Sequence, residues 1–248
     1  MSNLIILDSG HAEYVKGKQA PDNSLREWDF NNEIQYKLKK RCEEHNINVY
    51  LTNPNPEESD EMGLTKGASL ANSYWKNKEK PKSLFISIHA NAYLTYFNNA
   101  RGTETYIASN ASTNSKNAAK YVQEEIVKSI KEIDKNSKDR GIKTYDFTVI
   151  YKANMPSILI EYGFYTNKDD LKILKNNKDE LVEATMKGIC KYFGIAYKPV
   201  NIDSNIKETT KYYRVIVGSF TEKSNAENMV KKLKVSGYNN AFISIYNK

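Results

Sequence analysis

Three short apolar runs limit the kind of sheet this chain can build. Leu4-Ile5-Ile6-Leu7, Leu84-Phe85-Ile86 with Ile88, and Ile158-Leu159-Ile160 place apolar residues at consecutive positions, as a strand covered on both faces requires. Between them the pattern changes to that of helices. Trp28, Phe30, Ile34, Leu38 and Cys42 recur near 3.6 residues, and Ala118, Tyr121, Val122, Ile126 and Ile130 share one helical face. Strands are expected at 3–8, 48–52, 83–88, 103–108, 147–151 and 157–161, and helices at 27–44, 65–77, 112–133, 168–174 and 178–193. A Pro/Asn/Glu-rich loop is expected at 53–60. Such alternation predicts an α/β fold: a mostly parallel sheet with helices on both faces.

Open α/β sheets keep their chemistry in the crevice outside the carboxyl ends of the strands. His11 follows the first run, His89 lies in Ser87-Ile88-His89-Ala90-Asn91, Glu161 closes the third run, and Glu27 opens the first amphipathic helix. A catalytic zinc takes three N and O ligands and leaves one position open, so His11, Glu27 and His89 are a sufficient set. A further carboxylate must accept a proton from zinc-activated water and pass it on, and Glu161 is the candidate. Taken singly, each has an ordinary structural reading: a His after a strand is commonly just hydrogen-bonded, and a Glu at a helix start offsets the dipole. Glu161 differs because its apolar neighbours predict burial, where an ionised carboxylate is costly unless paired or functional. His45, in the polar tail Arg41-Cys42-Glu43-Glu44-His45-Asn46, reads as solvated surface.

Asp8-x-Gly10-His11, Glu27 within Leu25-Arg26-Glu27-Trp28-Asp29, Ser87-Ile88-His89-Ala90-Asn91, Arg101-Gly102-Thr103-Glu104-Thr105-Tyr106 and Met155 to Asn167 through Glu161-Tyr162-Gly163-Phe164 occur in order between about Asn3 and Tyr197. Together they resemble the zinc-dependent N-acetylmuramoyl-L-alanine amidases of the LytC/AmiC type, the amidase 3 family. The resemblance implies that His11, Glu27 and His89 are metal ligands for Zn2+ and that Glu161 is catalytic. It departs from the family where Ala12-Glu13 stand in place of glycines after the first His, which bears on the shape of that loop. Asn91 is a candidate either to orient His89 or to touch substrate. Arg140, in Asp139-Arg140-Gly141-Ile142, is a candidate to bind a substrate carboxylate, with a structural ion pair as the alternative.

The implied reaction is hydrolysis of the peptidoglycan amide between N-acetylmuramic acid and L-alanine. The alternatives are a zinc carboxypeptidase or endopeptidase acting on the stem peptide, and an inactive wall-binding regulator on the same fold. Leu4 to Leu7 is four residues long, shorter than the roughly 7–15 residues of a signal-peptide core. Nothing approaches the roughly 20 apolar residues of a membrane span. The expectation is synthesis in the cytoplasm and access to the wall after lysis or holin-mediated release, as a phage endolysin or sporulation autolysin. An Asn/Lys/Tyr/Ile bias, with 18 tyrosines, resembles coding in a low-GC Gram-positive bacterium or its phage. Cys42 and Cys190 sit in no metal-type spacing and read as unpaired thiols rather than a disulfide.

The catalytic domain is expected over residues 1–197, a linker over 198–211, and a small βαβ module over 212–248. Tyr213-Arg-Val-x-Val-Gly-Ser-Phe220 reads as a strand, Ser224 to Lys234 as a helix opened by a Ser224–Glu227 capping box, and Gly237 to Tyr246 as a turn and second strand. The module resembles one half of a SPOR domain, a peptidoglycan-binding unit. Because a piece this small seldom folds alone, two chains are expected to pair their halves into a homodimer, the alternative being docking on the chain's own catalytic domain. From Lys198 onward nine Lys/Arg face four Asp/Glu, giving +5 of the total +7. Such a tail suits wall phosphates and carboxylates. No helix-turn-helix, zinc-finger or RNP signature points to nucleic acid.

Overall fold

A computed structural model describes residues 3–12, 15, 17–52, 65–200, 217–238 and 241–243. The chain divides into two units, residues 1–199 and 200–248. In the first, the elements run β1 (Leu4–Ser9), α1 (Glu27–Glu44), β2 (Asn48–Leu51), α2 (Lys66–Asn77), β3 (Ser83–Asn91), β4 (Thr103–Ile107), α3 (Thr113–Ile133), β5 (Asp139–Thr144), α4 (Thr148–Tyr151), β6 (Ser157–Phe164), α5 (Lys168–Asn176) and α6 (Lys178–Phe193). The sheet order is β2-β1-β3-β6-β4-β5. Every pairing is parallel except β6 with β4, so the expected mostly parallel α/β sheet is what forms.

Strand alternation divides the sheet residues between two cores. Ile5, Leu7, Leu84, Ile86, Ile88, Ile158, Ile160 and Tyr162 face the larger one, filled from α1, α3 and α6 by residues such as Ile34, Val122 and Ile189. Leu4, Ile6, Phe85 and Leu159 face a smaller one, covered by Ala71 of α2 and Ile150 of α4. Full burial of one such Leu or Ile contributes about 1.5–3 kcal/mol, so the three-helix side carries most of the apolar stabilisation. The thinner side leaves room at the strand ends, and Asp8, Ser87, His89 and Glu161 all lie on it by alternation from Leu4, Phe85 and Leu159.

Two helix ends show local causes. Ser112 caps α3 by accepting the Ser115 N–H at 3.1 Å, and Asn167 caps α5 by accepting from Asp169 and Asp170. Two expectations are corrected, and one strand was not foreseen. Residues 148–151 form the short helix α4 rather than a strand, with Phe147 packed against Tyr106 and Tyr145. The edge strand β5 at 139–144 has an exposed, polar-rich pattern, which hides it from any search for apolar runs. His45 is buried: its Nδ1 lies 2.7 Å from the Arg41 carbonyl and its Nε2 accepts the Lys198 N–H at 2.8 Å. Cys42 and Cys190 are buried free thiols, as read from spacing.

In the second unit, α7 spans Lys223–Val235 with Glu222 at its N-cap and no cap hydrogen bond, so Ser224 lies inside the helix rather than opening it. Residues 217–220, the described end of the expected first strand, and residues 241–243 of the expected second form no strand. The expected linker at 201–211, the start of the following strand at 212–216 and the chain end at 244–248 lie outside the described residues, as does the 53–60 loop. Among the described residues no helix is long and apolar enough to cross a membrane.

Candidate metal centre and proton carrier

Register alone assembles a row of chemistry across the sheet. His89 pairs with Glu161, and Glu161 pairs with Glu104 on β4; paired residues point to the same face. On the other side of His89 the chain continues from β1 into Gly10, whose N–H donates to the Ile88 carbonyl at 3.0 Å. A Cβ on Gly10 would lie 2.0 Å from Cε1 of His89, so only glycine lets the imidazole lean over this position. The next residue, His11, has a φ of 66°, a left-handed conformation that non-glycine residues adopt at a cost of about 1 kcal/mol or more and that clusters at functional sites.

The first turn of α1 brings Glu27 to meet both histidines. His11 Nε2 lies 3.3 Å from Glu27 Oε2, and His89 Nδ1 lies 3.1 Å from Oε1. The ligand-type atoms of the three residues fall within 4.8 Å of one another. Burial works against ionising Glu27, but hydrogen bonds and charge from His11 and His89 outweigh it and hold the carboxyl at about 2. The Ala90 N–H also reaches Oε1 at 3.4 Å.

Behind His89 a relay fixes the ring. Ser87 Oγ donates to Asp8 Oδ2 at 2.9 Å and lies 3.2 Å from His89 Nε2, while Thr52 donates to Asp8 Oδ1 at 2.5 Å. Since the one Ser87 proton goes to Asp8, Oγ accepts from Nε2–H, and Nδ1 faces a Glu27 oxygen. Two acceptors at 3.1 Å require a proton or a cation between them. The donor set of two imidazole nitrogens and a carboxylate oxygen, with the imidazole oriented through its far nitrogen, suits a zinc ion.

Glu161 supplies the other half of the chemistry. Among the described residues its Oε2 is a buried oxygen with no hydrogen-bond partner. Burial, then the nearby charges of Glu27 and Glu104, push its carboxyl well above the usual range. Such a group can take up and release a proton. Tyr165 lines the same site; burial, then the charges of Glu27 and Glu161, push its phenol upward.

The two weaker candidates converge on a residue to which the sequence reading gave no role. Glu104, almost fully buried, accepts from Asn91 Nδ2 at 2.7 Å, the Tyr106 hydroxyl at 2.9 Å, Arg140 Nε at 2.6 Å and the Lys143 ammonium. Asn91 therefore bonds Glu104, and not His89, while its Oδ1 accepts from the Ala92 N–H. Arg140 makes the ion pair and lies over the Phe164 ring at 4.9 Å. A charged residue at the centre of Thr103-Glu104-Thr105 in a buried strand was the available signal.

Residues 5–191 match the family model described as N-acetylmuramoyl-L-alanine amidase, and residues 192–244 match that of the SPOR domain. The N-acetylmuramoyl-L-alanine amidase CwlM of Bacillus licheniformis is 25% identical over 94% of this chain and 82% of its own length. An endolysin of Bacillus phage SPP1 is 29% identical over 80% of this chain and 69% of its own length. The crystal structure of an N-acetylmuramoyl-L-alanine amidase from Clostridium difficile 630 superposes with a TM-score of 0.66 at 31% identity, covering 78% of this chain and 97% of that one.

Proposed function

The chain belongs to the N-acetylmuramoyl-L-alanine amidase family, with a SPOR domain at its C-terminus, and cleaves the amide between N-acetylmuramic acid and L-alanine in peptidoglycan; from this premise we propose that it is a zinc enzyme using Glu161 as its proton carrier. The observation that carries the reading is the meeting of His11, Glu27 and His89 with the unpartnered Oε2 of Glu161 on the adjoining strand. When bound there, zinc supplies Lewis acidity, polarising the scissile carbonyl and acidifying the attacking water. His11, Glu27 and His89 would hold such an ion, the Ala90 N–H steadying Oε1 of Glu27 and Ser87 the far nitrogen of His89. Glu161 takes the proton of the attacking water at Oε2 and returns it to the departing amine of L-alanine, so that the carboxylate is regenerated each cycle.

Cell-wall sacculi incubated with the protein should release stem peptides beginning with L-alanine, detected by mass spectrometry. A chelator should abolish the release and added zinc restore it. New amino termini at other stem residues would instead indicate a peptidase, and no release an inactive binding protein.

We also propose that the enzyme reaches the wall after lysis, which its likeness to the SPP1 endolysin supports, and that the second unit pairs with that of another chain. The support for pairing is that α7 buries none of its residues and that Val217, Phe220 and Tyr238 are exposed. Sedimentation equilibrium of the full chain tests it, a monomer at all concentrations refuting it.

A further inference from the structure

The connection from β3 to β4 opens with Ala92-Tyr93-Leu94-Thr95-Tyr96-Phe97-Asn98-Asn99-Ala100, nine residues that carry no charge before Arg101, in a protein that is 27% charged. Tyr93 and Tyr96 are 57% and 60% exposed, and Leu94 between them is 48% exposed. Exposed tyrosines are ordinary on a loose loop, but this loop is fastened. The Tyr93 N–H donates to Thr166 Oγ1 at 3.0 Å, the Asn98 N–H donates to the Thr166 carbonyl at 2.9 Å, and Asn167 Nδ2 donates to the Asn98 carbonyl at 2.9 Å. Asn98 Nδ2 bonds the carbonyls of both Tyr93 and Tyr96, and Leu94 is held at a φ of 61°. The backbone that presents the two rings is therefore ordered before any ligand arrives, which removes part of the entropic cost of binding.

The same latch joins the loop to the reaction centre. Tyr165, next to Thr166, donates its N–H to the Asn91 carbonyl at 2.9 Å, and the charges of Glu27 and Glu161 bear on its phenol. The loop thus starts three residues after the ligand-type His89 and is tied through Thr166 to the segment that carries Tyr165. The far side of the site is different: Arg140 and Lys143 sit on β5, three strands along the sheet order from β3.

Resting on the amidase reading, we propose that Tyr93 and Tyr96 form a stacking platform for sugar rings of the glycan strand flanking the scissile amide. A tyrosine face is electron-rich, and a pyranose ring offers it a face of weakly positive C–H groups. N-acetylated sugars bring no charge, which matches the uncharged loop.

The test compares the zinc-loaded full chain with Y93A, Y96A and the double alanine variant on two substrates: a muramoyl peptide bearing one sugar, and a glycan tetrasaccharide bearing the same stem. New L-alanine amino termini give kcat/KM for each. For the double variant the ratio of tetrasaccharide to monosaccharide efficiency should fall about tenfold or more through KM, and Y93F with Y96F should restore it. A ratio within twofold of wild type refutes the platform, as does an equal loss on both substrates, which would place the tyrosines against the peptide or in the fold. A ratio restored by neither phenylalanine variant refutes stacking. If the wild type releases L-alanine termini from neither substrate, the amidase reading itself fails.

Discussion

Replacing Gly10 by alanine tests whether the site depends on the close approach of β1 to His89. The added Cβ would lie 2.0 Å from Cε1 and 2.4 Å from both ring nitrogens of His89. Carbon–carbon contacts become favourable only near 3.5–4.0 Å, so the ring must retreat by about 1.5 Å. Its Nε2–Ser87 bond of 3.2 Å and its Nδ1–Glu27 approach of 3.1 Å cannot both survive such a shift. A displacement of 1 Å at a reacting centre can cost about 100-fold in rate, and loss of ligand orientation about 10–100-fold in metal affinity. The variant should therefore retain little zinc after dialysis against a weak chelator and show at least about 100-fold lower kcat/KM. Gly194→Ala is the control: Gly194 ends α6 with a φ of 69° and has nothing near its Cβ position, so it should lower Tm, at a left-handed-backbone cost of about 1 kcal/mol, while leaving zinc content and rate near wild type. Normal zinc content and rate in Gly10→Ala would show that the ring has room the geometry denies.

Glu161→Gln keeps shape but not proton transfer, so it should bind zinc as the wild type does and lose about 10²–10⁴ in kcat; near-normal turnover would remove Glu161 from the mechanism. Ser87→Ala deprives His89 Nε2–H of its acceptor and Asp8 of a donor, and should weaken zinc binding about 10–100-fold by competition with a fluorescent chelator. Unchanged affinity would mean that the relay does not set the tautomer. For Glu104, burial is outweighed by Lys143, Arg140 and Tyr106, which hold its carboxyl below the usual range. A depressed folded pKa contributes stability above the unfolded value, about 4.3, that is lost as pH falls through the folded one. The Tm gap between wild type and Glu104→Gln should accordingly be widest at neutral pH and close below about pH 4; a gap independent of pH would show that the charge of Glu104 is not what the network holds.

The sheet was legible where burial on both faces writes consecutive apolar residues, as in Leu4–Leu7 and Ile158–Ile160, and illegible where it does not. β5 is an edge strand whose Asp139, Arg140 and Lys143 face solvent or Glu104, so it resembles a loop. Residues 148–151 contain Val149, Ile150 and Tyr151, all of high strand propensity, yet tertiary packing under Tyr106 and Phe147 folds them as a single helical turn. His45 was misread because its partners are distant in sequence. Arg41 is tied to Glu183 and to the Lys198 carbonyl, and the His45 ring stacks near Tyr197, contacts that leave no mark on the polar string around residue 45.

The site was more legible than its surroundings because its residues obey the period of two. His89 shares a face with Ser87 and Phe85, and Glu161 with Leu159, so one parity count from either core residue predicts that the two functional groups adjoin once β3 and β6 pair in register. What the count cannot supply is the pairing itself. β6 is inserted between β3 and β4 after an excursion through α3 and β5, and only that insertion sets Glu161 between His89 and Glu104. Glu104 then lies beside Glu161, whose carboxyl its charge helps to push upward, and of its four partners the cations Arg140 and Lys143 offset that charge. Asn91 and Arg140 both bond Glu104, the strand neighbour of Glu161. Their residue types drew notice in the sequence, but their role depends on a strand neighbour that sequence order does not reveal.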